Sequence, residues 1–141
     1  MIVGNRSCEY CGLILVRRHQ IKYCSVKCQK ENEYLNYIND WKSGSKDGNI
    51  GISAKNISRH LKRYLLKKYK AACCLCGWNK INQITGRSPL EIDHINGKSE
   101  DNSERNLRLV CPNCHSLTNN FKNLNRGKGR KWRMVKYKKN Q

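Results

Sequence analysis

"LEIDHINGKSEDNSERNLRLVCPNCH", residues 90–115, decides how this chain is read. It holds an Asp-His pair at Asp93 and His94, an Asn at Asn106, and His115 directly after the CxxC pair Cys111 and Cys114. "PLEIDHI" and "NLRLV" alternate apolar and polar residues and predict two short strands, with the polar "NGKSEDNSER" as the loop that joins them. Pro112 suits the first turn of a helix running through "PNCHSLTNN". This order puts Asp93 and His94 on opposite faces of the first strand, Asn106 where the second begins, and His115 on the helix. His115 and Asn119 are four apart and would share a helix face.

Working outward, "CCLCGW" supplies a knuckle, CxxCG, at Cys73 and Cys76, and Cys111 follows thirty-five positions after Cys76. Two CxxC pairs predict a tetrahedral thiolate site for a structural zinc, which contributes folding energy directly. Cys74 is then the spare thiol, since only Cys73 makes CxxC with Cys76. His115 would be a zinc ligand only if Cys111 or Cys114 were not.

A second set precedes it. Cys8 and Cys11 form another CxxCG knuckle, and Cys24 and Cys28 follow as CxxxC at the head of a helix over residues 28–42. The arrangement resembles a treble-clef finger closed on a second zinc. His19 lies between the pairs and reads as a surface residue. Tyr34, Leu35, Tyr37, Ile38 and Trp41 read as packing groups of the helix rather than base-stacking ones. "SGSKDGNIG" predicts a loose linker within residues 43–55. Beyond it, "SAKNISRHLKRYLLKKYK" places Ile57, Leu61, Tyr64, Leu65 and Tyr69 at helical spacing, with Arg and Lys on the other positions. Asn56 or Ser58 would cap this helix, and His60 has no partner legible in the sequence.

Composition explains why metal is needed. At 38% hydrophobic with one Phe, 141 residues cannot build a generous core. "MIVGNRSCEY" holds no apolar run of a secretory leader, so the nine cysteines are expected to stay reduced and bind metal rather than pair as disulfides. No stretch approaches the ~20 apolar residues of a membrane span. The formal net charge of +19, from 29 Lys and Arg against ten acids, points to nucleic acid, because Lys and Arg gain affinity by displacing phosphate counterions. After Glu104 the chain has no further acid. Its final stretch, residues 121–141, is a basic arm whose phosphate-contact candidates are Arg126, Lys128, Arg130, Lys131 and Arg133.

With these residues in order, the "EIDHI...N...L.CPNCHSL" pattern and its flanking cysteine pairs resemble the HNH endonucleases of the His-Me finger, or ββα-metal, type, and among them small phage-encoded homing-type enzymes. The resemblance covers roughly residues 56–133. It implies an α+β fold: a small zinc-stabilised ββα-metal domain over residues 56–120, with the treble-clef-like finger, residues 1–42, as an accessory. It also implies a metal-dependent DNA endonuclease. His94 would be the general base, Asp93 and His115 with Asn119 would hold one catalytic divalent ion, and Asn106 would orient the backbone around His94. Magnesium is the expected ion, with manganese or nickel also compatible with the donor set. Double-stranded DNA is the expected partner, with no membrane and no small-molecule substrate. A monomer or weak dimer in the cytoplasm of a bacterial host completes the expectation. The competing reading is a zinc-stabilised nucleic-acid-binding module without catalysis. A ribosome-associated zinc protein would leave Asp93, His94 and Asn106 without a role.

Overall fold

A computed structural model describes residues 6–51 and 56–125. Of the basic arm, residues 121–141, the part from Arg126 onward, with Lys128, Arg130, Lys131 and Arg133, lies outside the described residues. The order is α1 (Val26–Lys42), α2 (Arg59–Lys68), β1 (Glu91–His94), β2 (Leu107–Val110) and α3 (Pro112–Ser116), with single 3-10 turns at Glu104–Asn106 and Lys122–Asn125. This is the expected small α+β arrangement. β1 and β2 form one antiparallel pair in which Glu91 faces Val110, Asp93 faces Arg108 and His94 faces Leu107.

The helix starts follow from side-chain caps. Ser25 accepts from the Cys28 amide, and Ser58, rather than Asn56, accepts from the Leu61 amide, each satisfying a donor that has no partner within its helix. α3 ends at Ser116 and does not reach Asn119 as the sequence predicts. The reason is local: the amides of Leu117 and Thr118 bond the carbonyls of Cys114 and His115, three residues back, and the Thr118 hydroxyl also donates to the His115 carbonyl. The turn therefore tightens and closes. Asn119 lies past the helix, not one turn above His115.

Three small clusters form the core. Tyr34, Ile38 and Trp41 of α1 meet Leu61 and Leu65 of α2 and Leu107 of β2. Their spacing of three and four makes one stripe on each helix, and fully burying each leucine contributes about 1.5–3 kcal/mol. Arg63 ties α2 to α1 through both carboxylate oxygens of Glu31, at 2.7 and 2.6 Å. Glu104 accepts from Tyr64 and Lys68, at 2.5 and 2.8 Å, joining α2 to the turn before β2. The second cluster is Cys73, Leu90, Leu109, Val110 and Cys111, and the third is Cys8, Leu15 and Cys28. Cysteines thus stand where larger domains have more aliphatic residues. His60, without a partner in the sequence reading, lies against the rings of Tyr37 and Tyr34, at 4.7 and 5.9 Å.

Among the described residues after α1, 43–51, contacts run to residues beyond the linker. Asn49 bridges to Ile57, the Ser58 amide donates to the Gly48 carbonyl, and Asn49 is buried. Gly48 has φ +80°, and a Cβ there would meet Leu61 Cδ2 at 2.7 Å and Asn102 Cβ at 3.0 Å. Only glycine fits this approach without strain.

Candidate active site

The alternation of β1 sorts its side chains. Asp93 is buried and faces Arg108 across the strand pair, and Arg108 Nε donates to Asp93 Oδ2 at 2.7 Å. The other oxygen, Oδ1, lies 3.6 Å from His115 Nε2 on α3. Glu91, two residues before Asp93, shares the face of the strand and puts Oε2 2.5 Å from His115 Nδ1. A carboxylate accepts there, so Nδ1 carries the hydrogen and Nε2 is the ring nitrogen on the side of Asp93. His115 is thereby set to offer one nitrogen beside one carboxylate oxygen. Asp93 and His115, both in the sequence reading, are brought together. Glu91 and Arg108 were not in it, although the period of two in "EIDH" puts Glu91 on the face of Asp93.

His94, on the opposite face of the strand from Asp93, is half-buried, and its Nε2 lies 2.9 Å from Asn102 Oδ1. Asn106 spans the neck of the loop that follows. Its Oδ1 accepts from the Asn96 amide, its Nδ2 donates to the Asp101 carbonyl, and its own carbonyl accepts from the Ile95 amide. The segment after α3 clamps the same loop: Asn120 donates to the Ile95 carbonyl and Asn125 to the Gly97 carbonyl. Gly97 has φ +73°, and a Cβ there would lie 2.5 Å from Asn125 Oδ1. Asn119 takes no part in this clamp. It lines a cleft of about 280 Å³ with Arg108, Cys114, Leu75, Leu117 and Thr118.

Both predicted cysteine quartets assemble. The sulfurs of Cys8, Cys11, Cys24 and Cys28, and those of Cys73, Cys76, Cys111 and Cys114, each lie within 4.8 Å of one another, and these are the two such groups among the described residues. Separations of 3.6 Å for Cys11–Cys24, 3.4 Å for Cys24–Cys28 and 3.7 Å for Cys76–Cys111 match a thiolate tetrahedron, whose edge is about 3.8 Å for a metal–sulfur bond of ~2.3 Å. Cys74 is exposed and outside the set.

The protonation of these thiols is what close-packed sulfurs require. Burial is the largest single influence on Cys8 and Cys73 and raises both. Backbone amides, from Cys11, Cys24 and Tyr10 for Cys8 and from Cys111, Cys76 and Leu75 for Cys73, outweigh it and bring both down to about 6. Hydrogen bonds with Cys28 and Cys11 push Cys24 up to about 12, and those with Cys76 and Cys111 do the same to Cys114. A quartet of thiolates so close together needs a cation among them. The second quartet has a positional role as well: Cys111 caps α3 by accepting from the Cys114 amide, and His115 is the next residue.

Positive charge lies on a different element. Arg59, Lys62, Arg63, Lys67 and Lys70 line a shallow groove along α2 together with Leu66 and Ala71. No helix among the described residues is long and apolar enough to cross a membrane.

Residues 73–121 match the profile of the family described as HNH endonuclease. The chain is also 34% identical over 85 residues to the H-N-H endonuclease F-TflIV of Escherichia phage T5, an overlap that covers 58% of this chain and 35% of that protein. The chain therefore spans about a third of the length of the curated relative it matches. No solved structure matches.

Proposed function

Because this chain carries an HNH endonuclease domain over residues 73–121, we propose that it is a metal-dependent DNA endonuclease with His94 as the general base. The observation that carries the reading is the approach of Asp93 Oδ1 to His115 Nε2, 3.6 Å apart, with His94 beside Asp93 on the same strand. In HNH chemistry a base and a divalent cation act on one phosphodiester. Asp93 and His115 would hold the ion, which when bound offsets the charge that develops on the phosphoryl and departing 3′ oxygens.

The chain's own residues supply the rest. His94 takes the proton of the attacking water, a task suited to an imidazole near neutral pH. Arg108 holds the Asp93 carboxylate so that one oxygen is left for the ion, and Glu91 fixes the ring of His115. Asn106 closes the loop behind His94 and does not exchange protons. Asn119, off the helix, is a weaker candidate ligand than His115. Zinc is the ion that best suits both quartets, given four thiolates at tetrahedral spacing. Magnesium, manganese or nickel suits the mixed oxygen and nitrogen donors of Asp93 and His115.

Duplex DNA is the substrate, held by the basic residues of α2 and by Arg126, Lys128, Arg130, Lys131 and Arg133 of the basic arm, residues 121–141. The protein acts as a monomer or weak dimer in the cytoplasm of a bacterial host, in a phage-encoded, homing-like role. A supercoiled plasmid tests the activity. Nicked or linear DNA should form when magnesium or manganese is added, and none in EDTA. Asp93→Asn should abolish cleavage while a gel-shift assay still shows DNA retained. A wild-type protein that binds DNA but never cuts it with any of these ions would instead be the binding module.

A further inference from the structure

We propose that Asn102 is a positioning residue that fixes the tautomer of His94, and that Trp41, at the end of the first finger's helix, and residues 47–49 after it orient Asn102. The proposal rests on the reading of His94 as the base. Asn102 is 3% exposed, and its side-chain amide is fully engaged. An isolated amide could point either way, but its neighbours permit one orientation. Asn102 Nδ2 lies 2.9 Å from the Asp47 carbonyl, which can only accept. The same NH2 group lies 3.2 Å from Asn49 Oδ1. Asn49 is itself oriented, because its Nδ2 donates to the Asp47 carboxylate at 2.8 Å while its backbone amide donates to the other carboxylate oxygen at 2.9 Å.

With the NH2 group committed, the atom 2.9 Å from His94 Nε2 is an oxygen that carries no hydrogen. Nε2 must therefore be the donor, which leaves the lone pair of His94 on Nδ1. That is the nitrogen available to accept a proton. The backbone of Asn102 is held in addition, since Trp41 Nε1 donates to its carbonyl at 2.8 Å. Trp41 is in the last turn of α1, the helix whose first turn holds Cys28 of the first quartet. These contacts come from 53 to 61 residues upstream of Asn102. The helix of the N-terminal finger and the turn after it thus complete the shell that sets the base.

The test uses the full chain, metal-loaded and labelled with 15N-histidine. Long-range 1H–15N spectra are recorded at about pH 8.5, some two units above the ordinary imidazole value. Wild-type His94 should be the Nε2–H tautomer. Asn102→Leu, which removes the acceptor, should lose that single tautomer and lower kcat about tenfold or more, with KM for DNA unchanged. Trp41→Phe, which keeps the ring but removes the donor, should lower kcat by a smaller factor at unchanged metal content. An Nδ1–H tautomer in the wild type overturns the proposal, whether or not Asn102→Leu folds. A folded Asn102→Leu with unchanged tautomer and unchanged kcat overturns it as well. If the wild type cuts no DNA with any divalent ion, the nuclease reading fails, and the spectra still report the tautomer independently of that failure.

Discussion

Replacing Gly48 by Ala tests how residues 47–49 are held, and Gly44→Ala supplies the control. Both glycines are left-handed, with φ +80° at Gly48 and +83° at Gly44, so an L-residue costs about 1–2 kcal/mol at either position. They differ in surroundings. A Cβ at Gly44 meets nothing within 4 Å, whereas at Gly48 it would lie 2.7 Å from Leu61 Cδ2, 3.0 Å from Asn102 Cβ and 3.3 Å from Trp41 Nε1. Leu61 is fully buried, in the cluster it forms with Tyr34, Ile38 and Trp41 of α1 and Leu107 of β2. Forcing one carbon into such packing costs a further ~1–3 kcal/mol. Gly48→Ala should therefore lose about 2–5 kcal/mol and Gly44→Ala only about 1–2. Urea denaturation of the metal-loaded proteins, followed by tryptophan fluorescence, measures both. Equal losses in the two variants would refute the docking of this segment on Leu61 and Asn102, and with it the route from the finger to His94.

Metal removal should be more severe. Binding at a structural thiolate site is worth about 10–16 kcal/mol, against a net stability of about 5–15 kcal/mol for a domain, so stripping the metal or making Cys111→Ser should unfold the nuclease half. Circular dichroism with and without a strong chelator measures this, and an unchanged melting temperature would count against it. Glu91→Gln leaves an acceptor for His115 Nδ1 but removes the charge, and should weaken the divalent-ion dependence of cleavage about tenfold, read from the metal concentration at half-maximal rate. Acid should destabilise the fold. Hydrogen bonds from Lys68 and Tyr64 hold Glu104 below the usual glutamate range, and those from Arg63 do the same for Glu31. Groups with a lowered folded pKa stabilise above the unfolded value of ~4.3, and that contribution is lost as pH falls through the folded value. Melting temperature should fall below about pH 4, less steeply in Glu104→Gln.

Much of this was legible in the sequence because the signals are local. The cysteine spacings give both quartets, alternation gives β1 and β2, and the stripe of Leu61 and Leu65 gives α2, although Ile57, read as part of that stripe, lies before the Ser58 cap and bridges to Asn49 instead. The pairing of Asp93 with His115 follows from strand, strand and helix in that order. The remainder depends on contacts between distant residues. Nothing in "SGSKDGNIG" announces that Asn49 and the Asp47 carbonyl will grip Asn102, because that contact exists only once α1 has packed on α2. Arg108 pairs with Asp93 through strand register, which sequence alternation alone does not set. The early end of α3 lies in the three-residue backbone bonds of the Leu117 and Thr118 amides, which the Thr118 hydroxyl reinforces by donating to the His115 carbonyl.

The most direct test of the central claim is the single-turnover rate of plasmid cleavage by wild type and His94→Ala, with magnesium or manganese, alongside the affinity of each for the same DNA. The account predicts that His94→Ala loses at least a hundredfold in rate, the range general-base catalysis supplies (about 10²–10⁴), while binding DNA and metal as the wild type does. Equal rates in the two proteins would contradict it.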